Sequence, residues 1–528
     1  MKINNKIWIL LVAVLGMMQA CQKKLDLTPT NDITNEKVFA TAAGYKQAMA
    51  KVYASMAVTG SPSRDIPGEI VSDEGNTGFL RVLWYLQCLS TDEAGWTYSG
   101  NTDPIGIHQM EWSPSTQVVA GLYYRSFFIV TLCNNFIKEA SDAKLSDRGI
   151  GGADAAEIRK FRAEARFVRA YAYWILLDNF GNVPFTDENY QIGSGVLPKQ
   201  ITRAELFTYI ENELKAVEAD LNEPKAAPAG RADKAAAWSL LARLYLNAQV
   251  YTGAAKYTEA ITYANRVIGA GYTLHSNYNE LMLADNHTLT NEFIWTIRYD
   301  GTNTQSYSGT TFLVHGPAGV PGSVSGSNGT WDCIRITEQF VDKFNAQDIR
   351  GQFWTTGQTK TMDVLLGDAR KGYSSTKFTN KTKTGAAAPN MDAGGTFADI
   401  DFPVFRLAEI YLIYAEAVLR GGTGGSTSTA VGYLQALARR ARPNDPAAAA
   451  SVELTLPYLI DERGRELMWE CHRRTDLIRF GQFTTNTYLW AWKGGVRNGT
   501  AVDAKYNLYP IPSIDISANP NLKQNTGY

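Results

Sequence analysis

Flat aromatic side chains grouped with planar polar ones are the most suggestive chemistry in this sequence. Trp96-Thr-Tyr98 supplies two rings, with Asn101 just after and Asp73 and Arg81 shortly before. Tyr307 and Trp331 lie in and just after a second tract of the same kind. Both tracts are rich in Gly, Ser, Thr and Asn, and aromatics in such loops are typical of binding surfaces. A sugar ring presents an apolar C–H face and a rim of hydroxyls. Aromatic rings stack on the face; the Arg81 fork donates to adjacent hydroxyls, Asp73 accepts from them, and the Asn101 amide does both. Trp is also a common core residue, so the pattern alone leaves both roles open.

Other chemistries find less support. Asp92-Glu93 and Asp73-Glu74 invite a glycosidase reading, but adjacent carboxylates in one loop seldom flank a single bond. A turn or helix-capping pair is the expected role, and no nucleophile elbow, phosphate loop or triad pattern accompanies it. We therefore expect no catalysis. Cys88, Cys133, Cys333 and Cys471 form no CxxC, and the five histidines (His108, His275, His287, His315, His472) form no HExxH, so no metal or cofactor is expected. Asp285-Asn286 near His287 lacks the rest of a calcium ligand set, and spacing leaves a disulfide open. A net charge of -1 argues against nucleic acid as a partner.

The start of the chain reads as an export signal. Lys2 and Lys6, the apolar run 7–18 and Ala20 precede Cys21, and Gln22-Lys23-Lys24 follow. This is the bacterial lipoprotein pattern: residues 1–20 form the signal peptide, Cys21 is acylated, and 21–40 form the tether. No later apolar run is long enough to cross a membrane, so the lipid does the anchoring.

The elements that must position the aromatic groups are mostly helical. Helix-spaced apolar residues run over 41–55, 121–140, 153–180, 202–221, 234–249, 257–269, 407–420, 428–440 and 456–480. Several are pairs with short connections, and Ala235, Ala236, Ala237 and Ala242 permit close helix approach. This resembles tetratricopeptide pairing, whose repeat is about 34 residues. The expected architecture is mainly α: one domain over 41–528, with helical scaffold over 41–58, 115–295 and 400–482. Loop-rich insertions over 60–114 and 300–400 carry the ligand site. The charged sets Arg162, Glu164, Arg166 and Arg463, Arg465, Glu466, Arg473, Arg474, Asp476 read as ion pairs that fix helix register.

Several motifs together resemble the RagB/SusD family of outer-membrane lipoproteins. They are Arg162-Ala-Glu-Ala-Arg-Phe-Val-Arg-Ala-Tyr-Ala-Tyr173 with Asp178-Asn-Phe-Gly-Asn-Val-Pro184, Phe405-Arg-Leu-Ala-Glu-Ile-Tyr-Leu412, Arg463-Gly-Arg-Glu-Leu-Met-Trp-Glu470, and Tyr509-Pro-Ile-Pro512 near the end. Gly230-Arg-Ala-Asp-Lys-Ala-Ala-Ala-Trp238, Tyr488-Leu-Trp-Ala-Trp-Lys-Gly-Gly495, Thr91-Asp92-Glu93, Trp112-Ser-Pro114 and Tyr307-Ser-Gly309 are similar to its starch-binding branch. The resemblance implies capture of starch or maltooligosaccharides at the cell exterior and delivery to a SusC-like TonB-dependent transporter. It implies a curved platform of Trp96, Tyr307 and Trp331, with Tyr98 as a further ring and Asp73, Arg81 and Asn101 on the hydroxyls. The competing readings are a binder of another polysaccharide and a helical-repeat scaffold that docks protein.

Overall fold

The computed structural model describes residues 34–60, 69–70, 74–191 and 193–528. The signal peptide, Cys21 and Asp73 lie outside the described residues.

The expected helices form, and their ends are set by local chemistry. Helix α1 (Ala42–Ala57) is capped by Thr41, whose side chain accepts from the Gly44 amide. In the tract expected to be loop, α2 (Phe79–Trp84) runs directly into a π-turn, Tyr85–Leu89. Helix α3 (Thr102–Gln109) follows, then α4 (Gln117–Glu139) and the 29-residue α5 (Gly152–Phe180). Gly181 ends α5 at φ 73°, a left-handed conformation cheap only for glycine. A capping box between Thr202 and Glu205 opens α6 (Arg203–Val217). Asp233 caps α7 (Lys234–Leu246), which is followed by α8 (Tyr257–Gly269).

After α8 the chain leaves the helical scaffold and returns more than a hundred residues later. Two wholly buried strands mark the exit and the return. Phe293–Ile297 pairs antiparallel with Phe402–Arg406, from Phe293 opposite Arg406 to Ile297 opposite Phe402. Between them lies the loop-rich tract, with one buried helix, α9 (Gly309–His315). Helices α10 (Leu407–Leu419), α11 (Thr427–Ala441), α12 (Leu456–Leu467) and α13 (Arg473–Arg479) complete the scaffold.

Packing follows the pairing read from the sequence. α4 lies on α5, α5 on α6, α7 on α8, α8 on α10, and α10 on α11 and α12. Ala235, Ala236, Ala237 and Ala242 are fully buried, as close approach of helices requires. One continuous apolar core runs from Phe39 to Leu522. The fold is mainly α, a tetratricopeptide-like scaffold with a loop-rich insertion.

Three expectations need correction. The tract 60–114 is not mainly loop: residues 79–97 are buried throughout and partly helical. The run Phe79–Leu86 is buried on every side, so it lacks the one-sided apolar period that reveals a helix. The helix expected over 456–480 is two helices, because Trp469 and Cys471 take φ of 62° and 65° between them. The helix expected over 234–249 stops at Leu246 and restarts as a short turn, Ala248–Thr252.

Ion pairs, half-buried at Arg166 and Glu213 and buried at the others named, join these elements. Arg166 meets Glu213 at 2.7 Å, Arg463 meets Asp476 at 2.8 Å, and Arg406 bridges Glu292, Glu466 and Glu470. Removing one member of a buried pair leaves the other uncompensated, which costs about 3–5 kcal/mol.

Candidate functional site

The site is built around Arg81, on α2. Its Nε donates to Tyr85 Oη at 2.8 Å, and its Nη1 donates to the Gly75 carbonyl at 2.8 Å and the Tyr307 carbonyl at 3.2 Å. The guanidinium carbon lies 4.3 Å from the Phe312 ring centre and 5.6 Å from that of Trp331. Aromatic faces attract a guanidinium, which holds its plane fixed. Among the described residues Nη2 has no hydrogen-bond partner, and no carboxylate pairs with Arg81.

Tyr307 and Trp331 come together although 24 positions separate them; their ring centres are 6.2 Å apart and tilted by 40°. The chain turns just after Tyr307 at Gly309, where φ is 60° and an added Cβ would strike the Tyr299 ring. Trp331 is set by a second turn. Its N–H donates to the His315 carbonyl at 2.7 Å, and Asp332 follows in the left-handed region at φ 51°. Asp332 Oδ1 accepts from the Gly319 amide and the Thr330 hydroxyl, which stabilises that conformation. The His315 ring stacks under Trp331 at 4.7 Å and 13°. Burial lowers the His315 pKa, so the ring under Trp331 is neutral at neutral pH. Phe397 backs Tyr307 edge-on at 5.2 Å.

The rings of the first tract divide into one closed and one open. Trp96 is only 2 % exposed; its Nε1 donates to the Tyr98 carbonyl at 2.8 Å and its ring meets Tyr85 edge-on at 5.7 Å. It offers no open face, in contrast to the platform ring expected from the resemblance. Tyr98 is 57 % exposed. Asn101 precedes α3 without a side-chain capping bond, so its amide is uncommitted among the described residues. A two-residue ladder, Gly95–Trp96 against Ile334–Arg335, joins the two tracts.

Arg81, Tyr307 and Trp331 thus form one cluster, linked through Tyr85 to Trp96, with Tyr98 and Asn101 following Trp96 in the chain. His315, Phe312, Phe397 and Tyr85 support it and were not read from the sequence. Only Phe312 and His315 carried a signal, since both follow closely on the Tyr307 motif.

Asp92 and Glu93 lie in a turn, as expected, and both are buried. Asp92 is fully buried and held by Arg473 at 2.7 Å and by Tyr488 Oη at 2.6 Å. Burial pushes its pKa up, but the Arg473 charge and hydrogen bonds, the Lys343 charge and the Tyr488 hydroxyl together outweigh burial and leave it below the usual range. Burial raises its neighbour Glu93 to about 8. The four cysteines among the described residues are free thiols and buried. No group of described His, Cys, Asp or Glu residues has the arrangement of a metal site.

A fold of paired helices interrupted by a long loop-borne aromatic cluster has known counterparts, and the chain belongs to the SusD family. The family's profile matches residues 345–528, and a second profile, described as starch-binding and associating with the outer membrane, matches residues 88–246. The chain is similar to the starch-binding protein SusD of Bacteroides thetaiotaomicron, with 38% identity over 98% of each chain. Among solved structures it is similar to surface glycan-binding protein A of Bacteroides fluxus (TM-score 0.71, 21% identity, 92% of this chain and 100% of that one). It is also similar to surface glycan-binding protein A of Bacteroides thetaiotaomicron in complex with laminarihexaose (TM-score 0.69, 18% identity, 92% and 99%). No described helix is long and apolar enough to cross a membrane.

Proposed function

We propose that the protein binds α-1,4-glucan chains, starch and maltooligosaccharides, without cleaving them. It delivers them to a SusC-like TonB-dependent transporter while anchored to the outer membrane through acylated Cys21 and facing the cell exterior. Sugar rings stack on Trp331, Tyr307 and Tyr98. Arg81 Nη2 and the Asn101 amide bond the hydroxyls, with Asp73 as an acceptor and Trp96 closing the floor.

The observation that carries this reading is the tilt between Tyr307 and Trp331. Two rings 6.2 Å apart at 40° present a bent surface, suited to a chain that curves from one sugar to the next. The Arg81 guanidinium beside Trp331 is rigidly held, so little entropy is lost when it bonds a ligand. The 38% identity to a protein named for starch binding supports the same ligand. A shallow, wet site of this kind gives a Kd on the order of micromolar to millimolar, compensated by avidity along a polymer.

Calorimetry with amylopectin, maltoheptaose and cyclodextrins against dextran, levan, xylan and laminarin tests the proposal. Binding confined to the α-1,4-glucans is expected, with no reducing ends released from amylose. Binding of laminarin but not maltoheptaose would replace starch by a β-glucan. No binding to any glycan would favour the protein-docking scaffold.

A further inference from the structure

Three chain segments lie side by side at the edge of the site, with Thr97 at their centre. Its N–H donates to the Cys333 carbonyl at 3.0 Å, and its carbonyl accepts from the Gly367 N–H at 3.0 Å. Trp331 begins one outer segment, Tyr98 follows Thr97 in the middle, and Val364 and Leu366 occupy the other outer segment.

The third segment carries two apolar side chains in the open. Val364 is 40 % and Leu366 37 % exposed, on the segment whose Gly367 N–H bonds the residue before Tyr98. These three are among only eight large apolar side chains that are exposed in the described residues, so their grouping on two bonded segments is notable. The backbone beneath them is firmly held. Buried Arg335 donates to the carbonyls of Trp96, Val364, Leu365, Asp368 and Lys371. Met362, Leu365 and Ala491 form an apolar cluster separate from the main core, and Trp492 packs on it with Nε1 donating to the Met362 carbonyl at 2.9 Å. The Tyr488–Gly495 motif is thus used in part to hold this segment.

We propose that Val364 and Leu366 form an additional sugar subsite that continues the platform past Tyr98 and holds further glucose units of the same chain. Their aliphatic surfaces lie against the C–H faces of those units, as the aromatic rings do nearer Arg81. Continuity with Tyr98 and the fixed backbone single out the ligand chain as the occupant. The inference rests on the glucan reading of the Arg81 cluster.

The test compares maltotriose and maltoheptaose by calorimetry on the wild type, the Val364→Ser/Leu366→Ser double variant, Leu366→Trp and Trp331→Ala. Both serine positions are exposed, and an unchanged melting temperature verifies folding. The double variant is expected to bind maltoheptaose about fivefold more weakly, with maltotriose within about twofold of wild type. Leu366→Trp is expected to tighten maltoheptaose alone. Equal maltoheptaose affinity in all three proteins, with binding still lost in Trp331→Ala, overturns the subsite and leaves the glucan reading standing. Such a result would instead make Val364 and Leu366 a surface for a protein partner. Unchanged binding in Trp331→Ala, or none in the wild type, overturns the glucan reading and the subsite with it.

Discussion

Arg473 and Asp92 are 381 positions apart and form a bidentate ion pair, Nε to Oδ1 and Nη2 to Oδ2, both at 2.7 Å. Both side chains are fully buried. This contact ties α13 to the residues that lead into Trp96 and Tyr98, so the C-terminal scaffold sets where the first tract begins. Arg473→Met leaves the Asp92 carboxylate buried without its counter-charge, a loss of about 3–5 kcal/mol. Urea unfolding should show it as a lower midpoint, and Arg473→Met/Asp92→Leu should recover much of the loss.

Glu93 makes stability fall as pH rises. Its folded pKa is about 8 against an ordinary 4.5, because burial disfavours the carboxylate. The folded state therefore keeps a proton that the unfolded chain releases above 4.5. Its contribution is fully present below that pH and is lost as pH rises through about 8. Glu93→Gln should narrow the difference in melting temperature between pH 5.5 and 8.5. On the acid side Asp92 and Glu416 have lowered pKa values, Glu416 to about 2, and their contribution disappears as pH falls through those values.

Trp331→Ala removes the stacking face next to Arg81 and should weaken maltoheptaose binding at least tenfold, about 1.4 kcal/mol. Arg81→Lys should weaken it comparably despite keeping the charge, because an ammonium cannot hold the planar contacts to Tyr85, Gly75 and Tyr307 at once. Calorimetry at constant salt measures both. Binding unaffected by either change would place the sugar elsewhere.

Arg335→Lys tests the anchor beneath the outer segment. Lysine has three donors for a set of carbonyls that the guanidinium fork now serves. Faster hydrogen exchange at the Gly367 amide is expected, with exchange in α5 unchanged. Exchange at Gly367 equal to wild type would show that Trp492 and Met362 hold the segment without Arg335.

The helices were legible where one face is apolar and the caps are local, as at Thr202–Glu205 and Asp233. They were not legible at 79–89, where burial on every side removes the period. Nor was the break at 469–471, which depends on two left-handed non-glycine residues. Arg81, Tyr307 and Trp331 were named from the sequence, and the structure places them in contact. The closure of Trp96 and the stack of His315 under Trp331 were hidden, because both depend on residues distant in the chain.

The sequence by itself determined the helical scaffold, the family and the residue types of the candidate site. Those follow from short-range periodicity, capping and motifs, which are written in consecutive residues. Only the tertiary structure decided which rings are open, the tilt of Tyr307 to Trp331, and the bond that brings the segment 364–367 to Thr97. These depend on contacts such as Thr97 with both Cys333 and Gly367, which join segments distant in the chain.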